Sequence, residues 1–349
     1  MITLFCVRPR GLNIGNDTIF LGLRHLLRDA FDGLVNIVQI DSAAGLDART
    51  IHEMNLYGHG VVVGGGNVFE NGQLQVDPNA LRSLHPPLML FSLSYGRIFD
   101  NRHDLVRRTD AMPESLVLAL HDRAMHSLAR DEATLGYLRS LGLAGPLLGG
   151  CPSLIVNQLD IPKVEPPGCL LAIRRPSLMS IPLRHQARLH AILTESIAAL
   201  EADGFGPVRI LCHDTRDVAF ASSLPGIEYI LADDVYAQLA LLRAATLVVT
   251  FRLHAFLPCV SFDTPAINIS YDERSLSLVR TIGMGDWDID LIHSSDVVAE
   301  IRSRCARLDA YESLRAATQP RRAGLEGTMR AAIADFARQT AEYASGQPR

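Results

Sequence analysis

The sequence predicts an α/β protein of two Rossmann-like parallel-sheet domains followed by a C-terminal helix. Three observations predict it. Short apolar runs alternate with amphipathic stretches nearly end to end, the pattern of strands joined by crossover helices. The alternation lapses once, in NQLDIPKVEPPG (157–168), where three prolines remove donors and disfavour helix. The chain, at 349 residues, is also longer than a single core usually holds. The expected division is 1–160, 168–310 and a C-terminal helical segment over 311–349.

The elements follow in order. ITLFCV (2–7) reads as a strand, and Asp17 to Ala30 as a helix with Ile19, Phe20, Leu23, Leu26 and Leu27 on one side. LVNIVQI (34–40), GVVVGGG (60–66), LMLFSL (88–93) and SLVLAL (115–120) read as further strands. HDRAMHSLARDEATLGYLRSLGL reads as one helix that stops at Gly142. After the linker come CLLAIR (169–174), VRILCHD (208–214), TLVVTF (246–251) and PAINISY (265–271) as strands. Helices are expected over His185–Ala202, Val235–Ala244, 273–282 and Asp296–Leu308. Leu325, Met329, Ile333, Phe336 and Tyr343 form one helical stripe, which must dock on another element.

Composition excludes several classes. The chain is 48% hydrophobic and 20% charged, with net charge −5, so no basic excess points to nucleic acid. No run of about 18 apolar residues predicts a membrane span, which leaves peripheral association as the only membrane contact to consider. The apolar run near the N-terminus is six residues long and follows no basic region, so it reads as a strand, not a signal peptide. The six cysteines are scattered without a CxxC pair, as expected for buried thiols in the reducing cytoplasm. No metal-ligand spacing is present, and no cofactor is expected.

Ligands of open α/β sheets bind beyond the carboxyl ends of the strands, so polar residues there carry the functional reading. RPRGLNIGND (8–17) follows the first strand. Gly11 and Gly15 allow unusual backbone angles, and Asn13, Asn16 and Asp17 either cap the next helix or reach a sugar. VVVGGGNVFENG (61–72) is neither GxGxxG nor a P-loop. Gly65, Gly66 and Asn67 let the backbone approach a ligand, or simply make a tight turn. Arg130, Asp131 and Glu132 sit on a helix, where solvated charges are the plainer reading. Cys151, in a Gly-Gly-Cys-Pro turn, has no adjoining cation to activate it. In the second half, Arg174 and Arg175, Arg252 and Arg274 each follow an apolar strand. His254 accompanies Arg252, and His213 ends VRILC. Three strand ends with arginine in an acidic protein predict a site for a small, highly charged anion. Phosphoenolpyruvate fits that description, and so does a nucleotide diphosphate.

Over most of its length the chain resembles the polysaccharide pyruvyl transferases. The likeness lies in Asn16–Asp17 within NIGND, in Gly64–Asn67, in Arg130–Asp131–Glu132, and in the Arg252–Leu253–His254 triplet, the most specific of them. The family's Asp-Pro turn is Cys151–Pro152 here, and its lysine twenty residues past the histidine is Arg274. The resemblance implies a GT-B-like fold, phosphoenolpyruvate as co-substrate, and a glycan or lipid-linked saccharide as acceptor. It implies His254 as general acid/base, with Arg252 and Arg174 or Arg175 holding the donor's phosphate and carboxylate, helped by Arg274. The helix starting near Arg252 adds amide donors. The loops 13–17 and 64–67 then receive the acceptor. A GT-B-like glycosyltransferase using a nucleotide sugar shares this architecture. A non-catalytic sugar-phosphate binding protein is the reading from another class, motivated by the two departures.

Overall fold

The computed structural model describes residues 1–70 and 72–346. Asn71 of the glycine-rich loop and residues 347–349 of the C-terminal segment lie outside the described residues. In chain order the strands of the first half are β1 (Ile2–Arg8), β2 (Val35–Asp41), β3 (Gly60–Gly66), β4 (Leu88–Leu93), β5 (Ile98–Phe99), β6 (Leu105–Val106), β7 (His126–Ala129) and β8 (Leu147–Leu148). Those of the second are β9 (Cys169–Ala172), β10 (Val208–Cys212), β11 (Tyr229–Leu231), β12 (Leu247–Thr250), β13 (Ala266–Ser270) and β14 (Asp288–Asp290). Two six-stranded sheets result, in the orders β2-β1-β3-β4-β7-β8 and β11-β10-β9-β12-β13-β14, with β5 and β6 forming a separate hairpin. Every pairing within the two large sheets is parallel. Such sheets are covered on both faces, which is why the central strands read as unbroken apolar runs.

The connecting helices are α1 (Gly15–Ala30), α2 (Ala48–Tyr57), α3 (Pro78–Arg82), α4 (Glu114–Arg123) and α5 (Glu132–Ser140) in the first half. The second half holds α6 (Leu183–Ala202), α7 (Thr215–Ala221), α8 (Val235–Ala244), α9 (Leu253–Phe262), α10 (Glu273–Thr281) and α11 (Val297–Cys305), then α12 (Leu308–Ala317) and α13 (Gln319–Gly346). Between the halves runs a 3-10 segment, Pro152–Gln158, and then residues 159–168 without regular structure.

Two sequence expectations are corrected. SLVLAL is not a strand but the body of α4. Val117 and Leu120 are fully buried while Leu118 is exposed, the spacing of a helical face. A short apolar run carries no periodicity that tells the two apart. The predicted long helix after it is interrupted: His126–Ala129 is β7, paired with β4, and Asp131 then caps α5 through Thr134 N at 3.0 Å. Arg130 therefore stands at the end of a strand.

The helical stripe near the C-terminus folds back onto the first sheet. Met329, Ile333 and Phe336 of α13 join Leu4, Cys6, Phe20, Leu23, Val62 and Met89 in one core. The stripe's last member, Tyr343, is only half-buried. α1 reaches the other way: its Leu21 packs with Leu239 and Ala240 of α8. The six cysteines are all buried and unpaired.

Candidate active site between the two sheets

The site forms where the strand order of each sheet reverses, between β1 and β3 and between β9 and β12. Here the loops after neighbouring strands diverge and leave a crevice. An inner chamber of ≈ 100 Å³ is lined by Asn13 and Asn67 from the first half. Arg174, Arg252, Leu253, His254, Tyr271 and Arg274 come from the second, and Arg130 from the end of β7. An outer chamber of ≈ 410 Å³ shares Asn13, Asn67, Arg174, Tyr271 and Arg274, and adds Asn16.

The arginines differ in how they are held. Arg252 caps the start of α9 and is buried. Its Nη2 donates to Asp217, its Nη1 to Asn13 Oδ1 at 3.4 Å, and its backbone N to Thr250 Oγ1 at 2.9 Å. Asp217 also accepts from the backbone N of Arg175 and of His213, both at 3.1 Å, so it fixes three strand-end groups together. Arg274 is held by Asp272 and, across the cleft, by Glu70 at 2.9 Å. Burial lowers the Arg274 pKa, but Asp272 and Glu70 outweigh it and the net shift is upward. Arg130 donates to Ser94 Oγ at 2.8 Å and forms no ion pair among the described residues. Arg174 forms no hydrogen bond or ion pair among them. The Nε atoms of Arg130, Arg174 and Arg252 and the Nε2 of His254 are buried without a partner. Buried donors left unmade are expensive, and a converging set of them marks a place for a ligand's oxygens.

His254 lies in the first turn of α9 with its ring against α1. A Cβ added at Gly15 would lie 2.7 Å from His254 Cβ and 2.8 Å from Cγ. Gly15 therefore does not supply an unusual backbone angle, as expected from sequence; its missing side chain is the room that His254 occupies. Gly11 does take a positive φ, +145°. Burial, then Arg130, Arg252 and Arg274, push the His254 pKa down to about 3. With the chamber empty, the imidazole is neutral at pH 7.

The remaining sequence candidates fall in different places. Arg175 is exposed and does not line the chamber; only its backbone N takes part, so Arg174 is the member of the pair that faces the cleft. Gly65 and Gly66 take positive φ of +78° and +96°, with Ile19 of α1 against them. They turn the chain so that Asn67, not their own backbone, lines the chambers. Asp17 pairs with Arg8 at 2.8 Å and, with His213, lines a separate groove. His213 is buried, its pKa held well below the usual range by burial, Arg252 and His254; its carbonyl accepts from Ile14 N at 3.2 Å. Asp131, read from sequence as a solvated charge, is fully buried and accepts from Ser277 Oγ at 2.8 Å. Cys151 is fully buried in the core. Arg130 is the chamber-lining residue that the sequence places on a helix; the strand it ends is hidden inside a helical pattern.

A sequence model of the polysaccharide pyruvyl transferase family matches residues 13–273 of the chain. No curated protein sequence matches it. Among solved structures, it is similar to the UDP-N-acetylglucosamine 2-epimerase of Rickettsia bellii, with TM-score 0.58 and 13% identity over 99% of this chain and 97% of that one. It is similar also to the UDP-GlcNAc 2-epimerase of Neisseria meningitidis, whose structure holds UDP-GlcNAc (TM-score 0.54, 11% identity, 99% and 100% coverage). The wall teichoic acid polymerase TagF is a third (TM-score 0.51, 11% identity, 99% and 90% coverage). At such identities these likenesses establish the GT-B-like fold and nothing further.

Proposed function

The chain belongs to the polysaccharide pyruvyl transferase family, and we propose that it moves a pyruvyl group from phosphoenolpyruvate onto a pair of glycan hydroxyls as a ketal. The supporting observation is the inner chamber, where Arg130, Arg174 and Arg252 keep unpartnered N–H groups around the half-buried His254, whose Nε2 is itself buried. A compact anion with a phosphate at one end and a carboxylate at the other matches donors converging from three strand ends. The N-terminus of α9 adds its dipole to the same place.

In this reading Arg174, Arg130 and Arg252 take the phosphate and carboxylate. Arg274, committed to Asp272 and Glu70, shapes the wall and supplies field. A highly charged anion beside His254 offsets the cations that depress its pKa, so the imidazole gains a proton as the donor binds. That proton goes to the methylene carbon of phosphoenolpyruvate, and the electron-poor central carbon is attacked by one acceptor hydroxyl. His254, now neutral, takes the hydroxyl's proton. The second hydroxyl displaces phosphate, which leaves carrying that hydroxyl's proton, and His254 returns its proton to solvent as the anion departs. Asn13, Asn16 and Asn67 line the outer chamber where the glycan is placed. No metal or cofactor has a part. None of the described helices is long and apolar enough to cross a membrane, and we place the reaction in the cytoplasm, where phosphoenolpyruvate is made.

The test is phosphate release from phosphoenolpyruvate across candidate glycans, with Arg252→Ala and His254→Ala alongside. Both variants are expected to lose turnover by at least about 10²-fold. Wild-type turnover in either folded variant refutes the assignment. Calorimetry that shows binding of a nucleotide sugar and none of phosphoenolpyruvate refutes the donor.

A further inference from the structure

The outer chamber holds charge that the donor does not use. Five arginines line it, Arg10, Arg108, Arg174, Arg216 and Arg274, and among the described residues no aspartate or glutamate does. Arg174 and Arg274 also face the inner chamber. Arg10, Arg108 and Arg216 face only the outer one, and they arrive from the loop after β1, the segment after β6 and the first turn of α7. Three separate elements thus bring cations to one mouth, in a chain whose net charge is −5.

Two of these side chains are held rigidly. Arg108 is gripped by Asp110 through Nε and Nη2, both at 2.8 Å, and its Nη1 reaches Ser180 at 3.1 Å. Arg216 is gripped by Asp214 through Nε at 3.0 Å and Nη2 at 2.7 Å. A guanidinium has five N–H donors and a carboxylate occupies one edge. The Arg216 Nη1 makes no bond among the described residues, and the exposed Arg10 has no hydrogen bond or ion pair among them. A neutral sugar needs acceptors for its hydroxyl protons as much as donors. The amides and hydroxyls of Asn13, Asn16, Asn67, Gln73, Ser180 and Tyr271 can accept from a sugar's hydroxyls, and the guanidiniums beside them suit an oxyanion carried by the same ligand.

We propose that the acceptor carries its own negative charge, and that Arg10, Arg216 and Arg108 bind it in the outer chamber while phosphoenolpyruvate fills the inner one. The shared chemistry is an oxyanion. It is supplied either by the carboxylate of a uronic acid residue or by the diphosphate that joins a glycan to its carrier. This deepens the pyruvyl transfer reading and rests on it for the identity of the inner ligand.

The experiment is calorimetric titration of the whole protein, saturated with phosphoenolpyruvate, with three probes: methyl glucuronide, inorganic pyrophosphate and methyl glucoside. One anionic probe is expected to bind at least about tenfold more tightly than the glucoside, and which one does so names the source. Arg10→Gln and Arg216→Lys are each expected to weaken that probe about tenfold, the second by losing the fork while keeping a charge for Asp214. The affinity for phosphoenolpyruvate should stay within about twofold of wild type in both variants, since neither residue lines the inner chamber. Equal binding of the glucoside overturns the proposal, as does binding of neither anion, or anion binding that both variants leave unchanged. If phosphoenolpyruvate itself fails to bind while pyrophosphate binding still depends on Arg10, the donor reading falls and the anion subsite stands.

Discussion

Gly15→Ala is the sharpest test of how His254 is positioned. The position opens α1, where alanine would ordinarily be favoured over glycine by about 1 kcal/mol. The new methyl would sit 2.7 Å from His254 Cβ and 2.8 Å from Cγ. Ordinary contact begins near 3.4 Å, so at the Cβ alone the two helix starts must separate by 3.4 − 2.7 = 0.7 Å. A new rotamer cannot relieve this, because Cβ is fixed to the backbone. Overpacking of this kind costs about 1–3 kcal/mol, so net stability should fall by about 0–2 kcal/mol after the helix gain. The effect on turnover should be larger, since a displacement near an ångström in a reacting geometry costs up to about 10²-fold. Gly22→Ala is the control. It overpacks the same helix against Pro152, away from the chamber. The assay is phosphate release from phosphoenolpyruvate with thermal unfolding measured on both variants. The expected result is that both variants are destabilised, Gly22→Ala at least as much because its methyl meets the Pro152 carbonyl, while only Gly15→Ala loses about tenfold to 10²-fold in kcat. Wild-type kcat in folded Gly15→Ala refutes the role given to His254.

Three further outcomes follow. Binding of phosphoenolpyruvate at pH 7 should be accompanied by proton uptake, because burial and then its arginine neighbours hold the His254 pKa at about 3 and an anion offsets the arginine part; calorimetry in buffers of different ionisation enthalpy reads this, and His254→Ala should abolish it. Glu70→Gln removes one of two carboxylates on the partly buried Arg274, leaving Asp272 as its partner, and should lower stability by about 1.5–3 kcal/mol in urea. The exposed Arg97–Glu273 pair spans the same gap, yet Arg97→Ala should cost only about 0–1 kcal/mol. Burial raises the Asp288 carboxyl to about 7, against hydrogen bonds from Asn268 and Ser270. Between pH 4 and 7 the folded state then holds a proton that the unfolded state has lost, so this group's contribution weakens as pH rises, by about 1.4 kcal/mol per pH unit at most. Asp288→Asn should flatten that slope in urea midpoints measured across the range.

The parallel sheets were legible because their central strands are buried on both faces and read as unbroken apolar runs; GVVVGGG is β3 to the residue. Three of the four edge strands, β8, β11 and β14, were not. Tyr229–Leu231 is only partly buried and has no comparable run, so β11 passed unnoticed. SLVLAL failed for the opposite reason, since six apolar residues satisfy a buried strand and a helix alike. That error also concealed β7 and so moved Arg130 onto a helix, far in thought from the arginines it joins. At Gly15 of NIGND, the sequence shows that a side chain is missing but not what fills the space. Only the packing of α1 against α9 identifies the filler as His254.

Reading arginines at strand ends picked out residues that the fold brings to one chamber but could not rank them, because their partners are remote in sequence. Arg274 looks as available as Arg174 until Glu70, from the other half of the chain, is seen to hold it. Arg252 is likewise bound to Asp217, which comes from α7. These pairs hold the chamber's walls. Arg174 and Arg130 have no carboxylate of their own, and a partly or fully buried cation without a counter-ion is unfavourable in the empty protein. The unfavourable term is relieved when a ligand brings the missing negative charge, so part of the stability of the free protein is exchanged for affinity. In the function proposed above, the division between paired and unpaired arginines separates the groups that build the chamber from the groups that would recognise an anion in it. By the same measure Arg10, exposed and unpaired at the outer mouth, belongs with recognition and not with architecture.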